Sequence, residues 1–261
     1  MIDTDRYTIT MPLNVLRQSP TERSLMIRLA FVLTLIISFS SCAHAPSRQE
    51  GPITEKIIAA YGGRDRIAQV VSLAAEGRIR ALMRGDEGVY RRAQRRDGKL
   101  FVDIIYQYSS ERRLLDGTRG FRGSPNSMEE VFGPRYLAMV YQYNQLDLPY
   151  GLLDNTLTFT ELRSDILRAQ PVRVFQCRDR AGNEMEVFVN AESYRIMKCT
   201  GTFRLETGMT SLSAEFGDYR FVEGILFPFG IVNFANEQKI SETEISDYLI
   251  NPRLDDALFR P

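Results

Sequence analysis

The chain has 261 residues, with 33 basic and 33 acidic side chains and a single histidine, His44. Balanced charge removes the electrostatic case for nucleic acid, whose phosphates demand a basic footprint, and gives no net pull towards anionic membrane surfaces. With its one histidine in a polar stretch ahead of the fold, the chain lacks the means for Ser-His-Asp, Cys-His or histidine-rich metal chemistry, so neither enzyme activity nor a cofactor or metal is expected.

Residues 1–25 are polar and mixed in charge. Residues 26–42 read MIRLAFVLTLIISFSSC: one positive charge at Arg28, an apolar run over 29–37, then Ser40 and Ser41 directly before Cys42. A charged start, an apolar centre and a small-residue end make a secretory signal, and the run is shorter than the roughly 20 apolar residues that span a bilayer. Met26 is a second candidate start of translation. The end of this segment resembles the lipobox of bacterial lipoproteins, with Phe39 where leucine is commoner. That resemblance implies cleavage before Cys42, lipidation of Cys42, and, because Ala43 and not Asp follows it, sorting to the outer membrane facing the periplasm. The alternatives are a plain signal cut after Ala43 or Ala45, or an uncleaved anchor. Residues 1–41 are therefore set aside as leader and signal, and 42–52, rich in Pro, Gly and polar residues, as a flexible tether.

The remaining residues, 53–261, suit one domain. Ile57, Ile58 and Tyr61 follow Thr54 at helical spacing, and Gly62-Gly63 ends the helix; residues 65–71 form a second short helical turn. From residue 72 the period changes to two, and segments 73–83, 88–95, 99–108, 111–116 and 119–123 read as strands. Gly85-Asp86, Asp97-Gly98 and Asp116-Gly117 supply the turns between them. Residues 128–143 have helical apolar spacing broken at Gly133-Pro134, so the longer helix starts at Pro134. Residues 147–155 (DLPYGLLDN) read as a loop with exposed apolar side chains. Strands return at 157–162, 172–178, 184–190, 194–206, 210–221, 225–236 and 239–248. Hairpin-linked strands imply antiparallel pairing, and the absence of βαβ alternation argues against a doubly wound fold.

Cys177 and Cys199 fall on the outer strands of a three-strand meander. That places them about 10 Å apart, beyond the roughly 7 Å a disulfide spans between Cα atoms, so two separate, partly buried thiols are expected, a disulfide in an oxidising periplasm being the alternative. The basic run Arg91-Arg92-Ala93-Gln94-Arg95-Arg96 reads as a solvated hairpin arm, Arg92 included. Glu129-Glu130 and Asp255-Asp256 are adjacent acids that point apart and cannot converge on a reaction.

Several phrases have family character: Ala59-Ala60-Tyr61-Gly62-Gly63 with Ile67 and a Gly77 strand, Leu115-Asp116-Gly117 leading to Gly120-Phe121-Arg122, Phe216-Gly217-Asp218-Tyr219-Arg220, Gly224-Ile225-Leu226-Phe227-Pro228, and the ending Ile250-Asn251-Pro252 to Leu258-Phe259-Arg260-Pro261. In this order, over residues 53–261, they resemble the LolA/LolB-like lipoprotein-localisation proteins of the outer-membrane lipoprotein-sorting superfamily. The resemblance implies an α+β, mostly β fold: a single curved antiparallel sheet, an open half-barrel, capped by two or three helices. Its apolar hollow would receive the acyl chains of a lipid or lipoprotein.

Alternating apolar rows supply the candidate ligand-facing residues: Leu100, Val102, Ile104 and Tyr106; Val187 and Val189; Phe203 and Leu205; and Ile225, Phe227, Phe229 and Ile231. Such rows also serve any sheet that packs on its helices. The expected function is a lipid-anchored periplasmic protein that holds acyl chains, lipids or lipoproteins during envelope trafficking. The alternative is an envelope scaffold that binds protein partners through residues 148–153, without a lipid ligand.

Overall fold

Period-two alternation produces thirteen antiparallel strands in the computed structural model, which describes residues 52–205 and 208–261. The strands are β1 (Ser72–Ala81), β2 (Asp86–Arg95), β3 (Lys99–Tyr106), β4 (Ser110–Asp116), β5 (Gly120–Ser124), β6 (Ser127–Val131), β7 (Leu157–Leu167), β8 (Gln170–Asp179), β9 (Glu184–Asn190), β10 (Ile196–Leu205), β11 (Gly208–Val222), β12 (Ile225–Ala235) and β13 (Gln238–Ile250). They form one sheet in the order β6-β5-β4-β3-β2-β1-β13-β12-β11-β10-β9-β8-β7. The chain enters at the centre, runs by hairpins to the β6 edge, crosses to the β7 edge, and returns by hairpins until β13 pairs with β1. The edges do not pair with each other, so the sheet is an open half-barrel and not a closed barrel.

This topology forces a crossing. Because β6 and β7 are opposite edges, residues 132–156 must span the whole sheet. They do so as α3 (Gly133–Asp147) and the single turn α4 (Tyr150–Leu153), which join the two earlier helices, α1 (Ile53–Ala60) and α2 (Arg64–Ala68). Pro134 sits in the first turn of α3, where its missing N–H costs nothing. Hydrogen bonds tie α3 to both halves of the sheet. On one side Gln94 Nε2 donates to the Leu146 carbonyl (3.1 Å) and the Tyr143 hydroxyl donates to the Arg95 carbonyl (3.2 Å). On the other the Tyr141 hydroxyl donates to the Cys199 carbonyl (3.0 Å) and Asn144 Nδ2 to Asp179 (2.9 Å).

The helices fill one end of the inner face. Ile57, Ile58, Ile67, Val70, Tyr150 and Leu152 pack there with the near ends of the strand rows. The Tyr61 carbonyl accepts from the Leu226 N–H (3.0 Å) and its hydroxyl accepts from the Ile196 N–H (3.1 Å), so α1 closes onto β10 and β12. Gly62 allows this approach: a Cβ there would lie 2.3 Å from the Gly224 carbonyl oxygen. A bulge at Glu76/Gly77 bends β1 against β13, and a Cβ on Gly77 would lie 2.0 Å from the Glu244 oxygen, so only glycine fits the bend.

The outer face has its own small cover. The 3-10 turn Asp256–Phe259 buries Phe259 fully against β3 and β4. Asp256 holds it in place by ion pairs to Arg95 (2.6 Å) and Lys99 (2.8 Å).

Three expectations are corrected. Residues 127–131 are the edge strand β6 and not helical, because Gly120–Ser124 offers them a hairpin partner that residue spacing alone does not reveal. Residues 148–153 are not an exposed loop: Leu148, Tyr150 and Leu152 are buried. Arg92 is not solvated either. It points to the inner face at 5 % exposure, its guanidinium 5.7 Å from the Tyr248 ring centre and its Nε without a hydrogen-bond partner. Strand alternation turns Arg92 and Gln94 inward and Arg91 outward, so the basic run divides between two faces. Cys177 and Cys199 are free and buried, two strands apart, and burial pushes both thiols up, that of Cys177 to about 12. Cys42, the signal and the tether through residue 51 lie outside the described residues.

Candidate functional site

Each inner row runs from an end filled by α1, α2 and α4 to an end covered by α3 alone. At that second end the sheet and α3 enclose a cavity of about 870 Å³. Apolar walls come from Ile79 and Ala81 on β1, Tyr90 on β2, Ile104 and Tyr106 on β3, Phe216 on β11, Ile231 on β12, and Ala138, Met139 and Tyr141 on α3. Met83 and Phe132 also line it and are 67 % and 71 % exposed, so the cavity reaches the surface there.

The predicted rows are split by this geometry. Ile104, Tyr106 and Ile231 line the cavity. Leu100, Val102, Ile225, Phe227 and Phe229 lie further down the same strands, buried in the core. Val187 and Val189 are buried on β9. Phe203 is half-buried beside a smaller pocket of about 270 Å³, its ring 5.6 Å from that of Tyr141. Leu205 lies on β10, and its side chain is outside the described residues.

Sequence reasoning missed the polar wall. Strand register turns Glu111 and Arg113 of β4 and Arg122 of β5 inward, opposite Ile104, Val102 and Arg113 in turn. Arg113 Nε and Arg122 Nη2 each reach Glu111 Oε1 at 2.8 Å, and Arg113 Nη1 donates to Gln142 Oε1 of α3 at 3.1 Å. Burial pushes the Glu111 carboxyl up, but the two guanidinium groups outweigh it and hold it below the usual carboxylate range. Arg84 stacks over Tyr106 at 4.5 Å. Facing this wall, Asn233, Ser241 and Thr243 add amide and hydroxyl groups. The signal for the polar wall was present in the alternation of ERRLLD, where Glu111, Arg113 and Leu115 share a face with Leu100 across the ladder.

No protein-family model matches the chain, and no curated protein matches it. Solved structures do. A LolA superfamily protein from Nitrosomonas europaea is 15% identical, with a TM-score of 0.50 over 80% of this chain and 96% of that one. The chain shares its fold with this LolA superfamily protein. A DUF1329 family protein from Desulfovibrio piger is also similar, at 8% identity, with a TM-score of 0.51 over 80% of this chain and 95% of its own. In this chain the crossing helix α3 is both the connection between sheet halves and the roof of the cavity.

Proposed function

We propose that this protein is a lipid-binding component of the bacterial envelope, which holds the acyl chains of a lipid or lipoprotein in the cavity beneath α3 for trafficking. It acts as a binder and not as an enzyme. Its lipid anchor on Cys42 holds it at the outer membrane facing the periplasm, with the tether giving reach. The observation that carries this reading is the cavity itself, apolar over most of its wall and reaching the surface, in the volume range of about 300–1,000 Å³ typical of small-molecule sites. Each CH₂ buried there contributes about 0.8 kcal/mol before ordering costs. The sequence resemblance and the LolA-like fold support the same class of ligand. Among the described residues no helix is long and apolar enough to cross a membrane.

Ala138 stands half-buried on α3 and lines the cavity. Ala138→Trp is expected to fill it and weaken a fluorescent fatty acid by about tenfold or more, the loss of a few buried methylenes, while the melting temperature holds. Unchanged affinity in a folded variant would place the ligand elsewhere. For the anchor, Cys42→Ala is expected to abolish labelling by radioactive palmitate and release the protein from the outer-membrane fraction. Unlabelled wild type would remove the anchor from the account and leave the cavity.

A further inference from the structure

The cavity's charge is one-sided at its mouth. Arg113 and Arg122 are direct cross-strand partners and share a single carboxylate oxygen, that of Glu111. Arg84 adds a third guanidinium over Tyr106, and its Nη1 donates to the Ser109 hydroxyl at 3.5 Å. Arg135 lines the same region. Glu129, exposed on β6, is the register partner of Arg122. Even with Glu111 and Glu129 both counted, Arg84, Arg113 and Arg122 leave a positive surplus beside an apolar interior. Further along the wall, Gln145 of α3 carries a buried amide oxygen with no hydrogen-bond partner. Arg113, most of whose side chain is buried, carries a desolvation cost that an uncharged ligand would not repay, while Arg122 and Arg84 stay exposed at the rim.

We propose, building on the lipid-binding reading, that the ligand is an anionic glycerophospholipid: its acyl chains lie in the apolar interior and its phosphate is held at the mouth by Arg113, Arg122 and Arg84. Guanidinium groups match phosphate oxygens in pairs and stay charged at every relevant pH. The phosphate adds a second charged acceptor to the one carboxylate that Arg113 and Arg122 share, and a half-enclosed mouth screens the attraction less than bulk water does. An acyl chain on a lipoprotein's N-terminal cysteine brings no phosphate, so this charge pattern separates the two ligand types. Exposed Met83 and Phe132 frame the same opening and would meet the chain region next to the headgroup.

The test is displacement of the uncharged fluorophore N-phenylnaphthylamine from the full protein by phosphatidylglycerol, by diacylglycerol of the same chains, and by glycerol phosphate. Phosphatidylglycerol is expected to compete about tenfold or more better than diacylglycerol, as charge-assisted bonds to a partly buried phosphate require. The double variant Arg113→Gln/Arg122→Gln is expected to abolish that preference. Glu111→Gln, which frees both arginines, is expected to widen it, so a fold defect in one variant does not decide the matter. Equal competition by both lipids in wild type overturns the headgroup site and leaves the lipid cavity standing. Displacement by glycerol phosphate as strong as by phosphatidylglycerol overturns it in favour of a soluble phosphate ester. If neither chain-bearing competitor displaces the probe, the lipid-binding reading itself fails.

Discussion

Phe227→Ala is expected to lower stability by about 3–5 kcal/mol, the range for emptying a buried aromatic site. Phe227 is 4 % exposed and its ring stacks on Tyr248 at 4.4 Å. Tyr248 in turn donates to the Pro228 carbonyl at 2.7 Å and contacts Phe229, so the cluster that joins β12 to β13 would lose the ring stacked on Tyr248. In a domain of this size the melting temperature falls by about 10 °C. Phe227 lies away from the cavity lining, so the folded variant keeps probe affinity near wild type. A melting shift below the error of the measurement would show that the closed end of the sheet is not packed as described. Arg92→Ala is costly for the same reason, since its stem and guanidinium are part of this cluster.

The second large effect is electrostatic. Asp147, the last residue of α3, is 3 % exposed and its Oδ1 has no hydrogen-bond partner. Burial raises its carboxyl from an ordinary 3.8 to about 7; Arg96 opposes the shift and Asp154 adds to it. A carboxylate at a helix C-terminus also meets the negative end of the helix dipole. Since the folded pKa is the higher one, the neutral acid stabilises the fold at low pH. That contribution is complete below about pH 4 and is lost as pH rises through about 7. Asp147→Asn, which keeps the shape and removes the titration, is expected to exceed wild type by about 4 kcal/mol at pH 8, with the gap narrowing towards pH 4. Denaturant titrations at several pH values check this. A constant difference between the two proteins would mean that Asp147 is solvated or paired in the folded state.

Much of the fold was legible because its elements obey simple periods. Alternation located the strands, glycine turns separated them, and the order of helices and hairpins pointed to one antiparallel sheet. Residues 127–131 were misread because short edge strands carry little periodicity of their own; pairing with β5 decides their conformation. The buried turn 148–153 was misread because residue composition does not reveal that the crossing chain must pass over the core.

The candidate site was legible in part. The row Leu100 to Tyr106 was found from alternation, yet the cavity takes only its far half, Ile104 and Tyr106. Which half is lined depends on where α1, α2 and α4 land, a long-range fact that no strand pattern contains. Arg92 was hidden inside a run of like charges whose members alternate between two faces. Glu111, Arg113 and Arg122 were hidden because charges on short strands ordinarily face water.

The central claim, that the space beneath α3 holds a lipid, is tested most directly by mass spectrometry of the wild-type protein purified gently from native membranes, beside Ala138→Trp. A chain-bearing lipid in stoichiometric amount with the wild type, and depleted in the variant, is the predicted result. Wild type that carries no lipid and fails to take up a fluorescent fatty acid would contradict it.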